Sequence, residues 1–266
     1  MAHNRESGRA RGGATLTDYI LPQSSADRSR ALREDDVEQA ALAWFEALGW
    51  RVLHGSYLAP DAAGQPRPDW KSVALTQVLA DTIGRLNPHL KTEAVEQVAK
   101  RITADASQDP LENNRAFLKL LRDGVDVDVR EGSGARTLKA RLLDLDKPEA
   151  NDFLAVHQFT IVGVDERRPD IIAFVNGLPV AVIELKDPTR LQASLKTAFN
   201  QLQTYRERIP ALFRFNATMI VSDGVDAKIG SLTAGWDRYS PWRTVDGSEV
   251  STALPLETLI RGVFDK

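Results

Sequence analysis

The chain of 266 residues has no cysteine and only four histidines, and the histidines lack the short spacings of metal-binding motifs. Disulfides, thiolate zinc sites and a cysteine nucleophile are therefore excluded. Any bound metal would be held mainly by carboxylates, which favours hard ions such as Mg²⁺ or Mn²⁺. Long apolar runs are also missing, and the first residues, MAHNRESGRARGG, lack the apolar stretch of a signal peptide. We therefore expect a cytoplasmic protein that does not interact with membranes.

The net charge of -3 is small and negative. It argues against a nucleic-acid-binding protein that works by bulk electrostatics, but it leaves open a local basic cleft or a partner that supplies the grip on DNA. Residues 1–33 are rich in Arg, Gly and Ser with little periodicity, which predicts a mostly disordered arm. We expect residues 34–266 to form a single domain.

The order of the predicted elements indicates an α/β fold with a central mixed β-sheet flanked by helices. A helical pattern begins at Asp35 and stops at Gly49, and a short strand follows. Residues 70–122 are predicted to form helices, whereas strand patterns dominate from Phe153 to Lys186. A helix at about 189–208 and a strand at 217–222 complete the pattern.

The stretch RPDIIAFVNGLPVAVIELKDP, residues 168–188, predicts a β-hairpin that carries charged residues at its open end. Residues two apart on a strand share a face, so Glu184 and Lys186 project together. Ile183 and Leu185 then point to the other face, into packing. The face of Asp170, on the partner strand, depends on the turn.

The number of residues in the hairpin loop decides whether Asp170 lies on the same face of the sheet as Glu184 and Lys186. A two-residue loop at Asn176 and Gly177 would place Asp170 on the wrong face unless a bulge compensates. A three-residue loop, residues 175–177, places Asp170 opposite Val182 and on the face of Glu184. We predict the three-residue loop, with Gly177 at positive φ.

Two carboxylates and a lysine on one face suit phosphodiester hydrolysis. The carboxylates of Asp170 and Glu184 can hold a divalent cation, while Lys186 orients water or neutralises developing charge. Gln201 and Tyr205 stand four residues apart, on one side of the next helix, from which both can reach the strand end or a DNA phosphate. The alternatives are that Glu184 and Lys186 form a solvated ion pair, that Asp170 caps a strand, and that Tyr205 belongs to the core.

The sequence P-D-I-I-A-F-V-N-G-L-P-V-A-V-I-E-L-K, followed by Q-L-Q-T-Y, resembles the PD-(D/E)xK nuclease signature with its QxxxY extension. This combination is similar to the amino-terminal endonuclease domain of type I restriction enzyme R subunits, as is T-M-I-V-S-D-G-V-D-A-K-I-G-S-L. The resemblance implies a restriction-endonuclease-like core with a helical insertion at about 70–122. It also implies an Mg²⁺-dependent double-strand endonuclease, with Asp170 and Glu184 as metal ligands, Lys186 as the catalytic lysine, and Gln201 and Tyr205 positioning DNA.

Family membership would also imply partners. In the complete family enzyme this domain precedes two helicase-like motor domains that hydrolyse ATP, and it assembles with methyltransferase and specificity subunits. We therefore expect a fragment or truncated product that lacks the motor domains, needs ATP only through them, and cleaves weakly or not at all by itself. A stand-alone recombination or repair nuclease and a non-catalytic docking module that keeps the nuclease fold are the alternatives.

Two further acidic residues require interpretation. PD-(D/E)xK cores often carry a glutamate on the first helix near the metal, which makes Glu38 a candidate catalytic residue. Asp35 and Glu38 also have the spacing of a capping box, in which Glu38 would bond back to the helix start. Arg67-Pro68-Asp69 repeats the first half of the signature, but no E-x-K follows, so Asp69 is interpreted as a loop aspartate.

Overall fold

The computed structural model describes residues 33–105, 107–131, 134–187 and 194–266. The arm predicted for residues 1–33 therefore falls outside the described residues, apart from Arg33, and so does the start of the helix predicted from about residue 189. The described helices are α1 (Glu34–Ala47), α2 (Thr76–Leu86), α3 (Thr92–Thr103), α4 (Pro110–Asp123), α5 (Leu195–Arg208) and α6 (Pro255–Val263). Among these helices, none has both the length and the apolarity that a membrane crossing requires.

The described strands build one large sheet and two small ones. They are β1 (Arg51–His54), β2 (Val125–Glu131), β3 (Gly134–Ala140), β4 (Phe153–His157), β5 (Ile161–Val162), β6 (Glu166–Arg167), β7 (Ile171–Val175), β8 (Leu178–Leu185), β9 (Thr218–Ser222) and β10 (Ala227–Gly230). The large sheet has the order β1-β4-β7-β8-β9-β10. The pairs β1-β4 and β8-β9 are parallel and the other neighbours are antiparallel. The predicted mixed sheet flanked by helices is confirmed.

The two faces of the large sheet pack against different helices. On the first face, Ile172 and Val182 join a core that includes residues of α2, α3, α4 and α5. On the second face, Ile171 and Ile183 join a core built with α1 and α6. Burying each such aliphatic side chain contributes about 1.5–3 kcal/mol. This alternation fixes which side chains at the strand ends project to which face.

Helix α1 covers the second face because its apolar residues recur at helical spacing. Val37, Ala41 and Phe45 are all buried, as the predicted stripe requires. Gly49, at φ 77, ends the helical segment in a conformation that glycine adopts without strain. Three helices, α2 to α4, are present where the pattern of residues 70–122 predicts helices.

The hairpin turn differs from the sequence prediction. Val175 pairs with Leu178, so the loop has two residues and not three. Asn176 and Gly177 both have positive φ, 53 and 79, as a type I′ turn requires, and the predicted positive φ of Gly177 is confirmed. The predicted three-residue loop is wrong, because the asparagine accepts the left-handed conformation and supplies the turn together with the glycine.

A bulge restores the parity that the shorter turn would have reversed. Phe174 pairs with Pro179, but Ala173 pairs with Ala181, so one extra residue lies in β8. Proline cannot donate a ladder hydrogen bond, and Pro179 is placed at this irregularity. Beyond the bulge Ile171 pairs with Ile183, and one further step brings the next residue of each strand, Asp170 and Glu184, side by side. The predicted pairing of Asp170 with Val182 is replaced by this one.

The turn is held by a buried asparagine. Asn176 Nδ2 donates to the Leu142 carbonyl over 2.8 Å and to Asn151 Oδ1 over 3.0 Å, and its Oδ1 accepts from the Asp152 amide over 2.7 Å. The side chain thereby connects the hairpin to the segment before β4. Such a fully bonded polar group fixes the turn in one arrangement.

We expect Gly177→Ala to lower the free energy of unfolding by about 2–4 kcal/mol, since strain at positive φ adds to steric overlap. An alanine Cβ would lie 2.6 Å from the Leu75 carbonyl oxygen and 3.0 Å from the Leu79 amide nitrogen. Gly247→Ala is the matched control, because Gly247 has φ +83 and no described atom within 4 Å of the added Cβ. Urea unfolding measures both variants, and equal losses would show that the overlap has no cost.

Candidate active site

Asp170, Glu184 and Lys186 meet at the end of the β7-β8 hairpin opposite the turn. The neighbouring residues Ile171 and Ile183 pack on the second face, so alternation directs Asp170 and Glu184 to the first face. Ile183 and Leu185 are buried in the second-face core, as predicted. The structure therefore brings the three predicted residues together.

Asp170 is fixed by its backbone and by its side chain. The Gln158 amide donates to the Asp170 carbonyl over 3.0 Å, which ties the residue to the end of β4. The Leu185 amide donates to Asp170 Oδ2 over 2.7 Å. Only 8% of Asp170 is exposed. The carboxylate is thus oriented by the strand that carries the other two charges.

Glu184 is fully buried and is paired with the lysine. Lys186 Nζ donates to Glu184 Oε1 over 2.6 Å and to the Leu185 carbonyl over 2.7 Å. The other carboxylate oxygen, Glu184 Oε2, is buried and has no hydrogen-bond partner within the described ranges. An ion pair on a solvated face, the alternative reading of E-x-K, is excluded because the glutamate has 0% exposure and the lysine side chain 13%.

Burial dominates the electrostatics of both carboxyl groups. It raises the pKa of Asp170 from 3.8 to about 7, and the Leu185 amide and Lys186 offset this only in part. Burial also raises the pKa of Glu184 well above its usual value, and the nearby Asp170 charge raises it further. Two neighbouring buried carboxyl groups, one of which raises the pKa of the other, are groups that could hold a compensating cation.

Gln201 and Tyr205 project from α5 towards this pair. Gln201 Nε2 donates to the Tyr205 hydroxyl over 2.6 Å. Tyr205 is buried in the first-face core, so the core interpretation of this residue is also correct. Its hydroxyl is close enough to Glu184 that the two groups shift each other's pKa, and burial together with the glutamate raises the pKa of the tyrosine. The tyrosine therefore stays protonated and presents a hydroxyl to the carboxylate.

Glu38 lies beside the site but is engaged elsewhere. Its Oε1 is 2.8 Å from His157 Nδ1, and its Oε2 accepts from Gln158 Nε2 over 2.7 Å. The capping alternative is wrong: the N-cap of α1 is Arg33, whose amide donates to Asp36 over 3.0 Å. Glu38 still contributes a negative charge that raises the pKa of Asp170.

His157 and Gln158 also lie beside the site, although no motif or spacing in the sequence predicted that they would. His157 precedes Gln158 at the end of β4, more than a hundred positions from Glu38 in the chain. The rings of His54 and His157 also meet edge to face, with centroids 4.8 Å apart. No local spacing could reveal these contacts, since they arise from the pairing of β1, β4 and β7.

The repeat of the motif at Arg67-Pro68-Asp69 is structural, as expected. Asp69 Oδ1 accepts from the amides of Lys71 and Ser72 over 2.9 and 2.7 Å, which closes a local turn. Arg67 is buried and donates to three backbone carbonyls, those of Leu58, Ser72 and Thr160. The loop aspartate therefore takes no part in the candidate site.

Among the described residues, Asp170 and Glu184 are the carboxylates that the hairpin brings to the candidate site. No group of three or more His, Cys, Asp or Glu side chains placed to hold a metal ion occurs in the part of the chain that the structure describes. Asp170 and Glu184 are the residues that could hold a cation here. The remaining ligand positions would have to be filled by water, backbone or substrate oxygens.

A family profile described as "Type I restriction enzyme R protein N terminus" matches residues 31–238. The chain belongs to this family. The match includes every residue of the candidate site, from Glu38 on α1 to Tyr205 on α5. The resemblance inferred from the PD-(D/E)xK and QxxxY motifs is confirmed at the level of the family.

Two relatives illustrate the extent of the similarity to type I restriction subunits. The chain is 39% identical over 239 residues to the "Type I restriction enzyme HindI endonuclease subunit" of Haemophilus influenzae. It is 33% identical over 239 residues to the "Putative type I restriction enzyme MjaIXP endonuclease subunit" of Methanocaldococcus jannaschii. Each alignment covers 88% of this chain and 23% of the relative. The chain thus spans about a quarter of the length of these restriction subunits.

We expect Mn²⁺ to bind this restriction-family site more tightly as the pH rises from 6 to 8. In the metal-free chain the pKa of Asp170 is about 7, so at pH 6 a proton occupies the carboxylate that the cation needs. Below that pKa the loss of one proton strengthens binding about tenfold per pH unit. Calorimetry at the two pH values, in buffers of different protonation enthalpy, measures the affinity and the protons released. Equal affinities without proton release would contradict the assignment.

Proposed function

We propose that this chain is the metal-dependent endonuclease domain of a type I restriction-modification system and that it hydrolyses phosphodiester bonds of double-stranded DNA. The observation that carries the proposal is the meeting of Asp170, Glu184 and Lys186 on one face at the end of β8. Family membership supports the restriction context. The activity would be that of a type I site-specific deoxyribonuclease.

The residues present fit a divalent cation. Glu184 Oε2 is buried without a hydrogen-bond partner among the described residues, and an unsatisfied buried carboxylate oxygen is costly. Asp170 and Glu184 together supply the hard oxygen ligands that Mg²⁺ prefers, and Mn²⁺ can substitute. When bound, such an ion supplies Lewis-acid polarisation of the phosphate and lowers the pKa of water.

The other steps of hydrolysis are assigned to side chains of the protein. Asp170 is held in place by the Leu185 amide, so its carboxylate does not reorganise when substrate arrives. Lys186 carries three donors, of which two bond to Glu184 and Leu185, and the third remains for water or for a phosphate oxygen. The hydroxyl of Tyr205, which accepts from Gln201 Nε2, neighbours Glu184 and helps to position DNA.

Glu38 is proposed to act indirectly. Because both of its oxygens are bonded, to His157 and Gln158, it is better placed to orient the end of β4 than to bind a cation in this arrangement. The Gln158 amide in turn holds the backbone of Asp170. Glu38 is therefore a positioning residue in this proposal.

The remaining partners follow from the family context and are likewise proposals. The relatives are about four times longer than this chain. We propose that the complete subunit carries ATP-hydrolysing motor domains and assembles with methyltransferase and specificity subunits. DNA target recognition would then belong to another subunit.

A plasmid-nicking assay tests the proposed activity. Supercoiled DNA is incubated with the chain in Mg²⁺, in Mn²⁺ or with a chelator. We expect conversion to nicked and linear forms only with metal, because two buried carboxyl groups without a cation cannot organise the phosphate. Cleavage that continues at the same rate in chelator would refute metal dependence. Because cleavage by the chain alone is expected to be weak, metal binding without any cleavage would favour the docking-module alternative only if the complete subunit with its partners also failed to cleave.

A further inference from the structure

A polar groove of about 630 Å³ opens beside the candidate site and extends beyond the trio of Asp170, Glu184 and Lys186. One wall is the segment Glu166–Arg168, which leads directly into Asp170. The other wall is the face of α5 that carries Asn200 and Thr204. Gln201 and Tyr205 also line the groove, and Tyr205 neighbours Glu184. The groove is therefore continuous with the proposed site of hydrolysis.

The α5 wall is a single polar helix face. The groove contains Thr197, Asn200, Gln201, Thr204 and Tyr205, whose spacing of three and four residues repeats along one side of a helix. From Thr197 to Tyr205 this face runs about 12 Å, at 1.5 Å per residue. One DNA strand carries a phosphate per about 3.4 Å of helix axis, so the wall can accompany about three phosphates. The trio would use only one of them.

The two arginines of this groove differ in their ion pairs. Arg167, its neighbour, donates to Asp165 over 2.7 Å and is therefore partly neutralised. Arg168 is exposed and forms no ion pair among the residues that the structure describes. Glu166 is the groove residue of opposite charge and is also exposed. An incoming strand therefore meets one exposed cation and one exposed anion at this wall.

We propose that this groove binds the sugar-phosphate backbone of the cleaved DNA strand next to the scissile phosphate, with Arg168 as the residue that neutralises one backbone phosphate. The inference rests on the proposed nuclease function, to which it adds a path for the strand. The side-chain amide of Asn200 can donate to phosphate oxygens without reading bases. The Thr204 hydroxyl already donates to the Asn200 carbonyl over 3.1 Å and adds polar surface to the same wall. Binding in the groove is therefore independent of DNA sequence, which suits a subunit whose target would be chosen elsewhere.

Salt-dependent DNA binding in chelator tests the proposal without requiring cleavage. The affinity of the chain for a labelled oligonucleotide duplex is measured by fluorescence anisotropy over a series of salt concentrations. We expect Arg168→Gln to weaken binding several-fold at low salt and to lower the slope of log affinity against log salt by about 0.9, the value for one phosphate contact. Glu166→Gln is expected to strengthen binding, because it removes a charge that repels the same phosphate.

The control is Arg115→Gln, which removes an exposed arginine on α4 outside the groove. We expect it to bind like the unchanged chain, and we expect the loss at Arg168 to be equal for two duplexes of unrelated sequence. The proposal is overturned if Arg168→Gln keeps the original salt slope, if Arg115→Gln loses as much, if the loss depends on sequence, or if the unchanged chain does not bind DNA. None of these outcomes affects the Mn²⁺ and nicking experiments, which test the nuclease function itself.

Discussion

Asp170→Asn is expected to reduce plasmid cleavage by at least about 10³-fold, which corresponds to about 4 kcal/mol of transition-state stabilisation. The amide cannot supply an anionic ligand, although its oxygen can still accept from the Leu185 amide as Asp170 Oδ2 does over 2.7 Å. The substitution therefore removes the negative charge of the side chain and keeps its size and its hydrogen bond. Initial rates of nicking in Mg²⁺ and Mn²⁺ measure the loss.

The same substitution should make the metal-free chain more stable at pH 8. The pKa of Asp170 is 3.8 for the unperturbed group and about 7 in the folded chain, where burial disfavours the charge. Since the folded state binds this proton more tightly, the free energy of unfolding falls as the pH rises from about 3.8 to 7, and the full cost is present above 7. Asparagine removes a cost of up to about 4 kcal/mol, at 1.36 kcal/mol per pKa unit.

Asp69→Asn is the matched control for both measurements. Asp69 follows the same Arg-Pro dipeptide, but its side chain closes a local turn in the described structure. We expect normal cleavage from this variant and no gain in stability at pH 8. A catalytically inactive Asp170→Asn chain that is clearly less stable than the unchanged chain in chelator would mean that the loss of cleavage reflects damage to the fold.

The sequence predicted which residues of the hairpin meet better than it predicted the turn. Alternation along β8 correctly predicted that Ile183 and Leu185 pack while Glu184 and Lys186 share a face. The prediction of a three-residue turn was wrong because two arrangements bring Asp170 to the face of Glu184, a loop of odd length or a β-bulge. The chain uses the bulge. The Pro179 ring is the local signal for it, because a proline within a strand is tolerated mainly at bulges or edges.

Other parts of the site depend on contacts that no local pattern contains. Glu38 bonds to His157 and Gln158 only because β4 pairs with β7 and α1 packs across the second face. A capping box was an equally good reading of its spacing, and Arg33 takes that role with Asp36. Long-range pairing between strands is set by the global fold. A single sequence therefore predicts where a strand lies along the chain but not which strands pair with it.

Burial of the charges was the property hardest to foresee. A carboxylate beside a lysine two positions later is usually a solvated pair, yet Glu184 is fully buried. It lies in the interior because β8 is a central strand with β7 and β9 on either side and α5 over its first face. The resulting rise in the pKa of Glu184 and Asp170 is what distinguishes a candidate catalytic pair from a surface ion pair.

Lys186→Ala is expected to reduce cleavage by at least about 10²-fold, in the range of general acid-base or charge-stabilising groups, while Mn²⁺ binding survives. In the proposed mechanism the lysine acts on water and phosphate, whereas Asp170 and Glu184 hold the cation. Lys186 also lowers the pKa of Glu184, so its removal makes the glutamate harder to ionise. Binding is therefore compared at pH 8.5, where we expect an affinity within a few-fold of the unchanged chain.

Lys186→Arg separates the catalytic role of the lysine from a structural one. Arginine keeps the positive charge, but its planar fork is larger than the ammonium that fits between Glu184 Oε1 and the Leu185 carbonyl, at 2.6 and 2.7 Å. We expect Arg at this position to cleave as poorly as Ala. Lys139→Ala and Lys139→Arg, at an exposed lysine paired with Asp126, are expected to cleave normally. Full cleavage by Lys186→Arg would instead assign Lys186 to a structural ion pair that only balances the charge of Glu184.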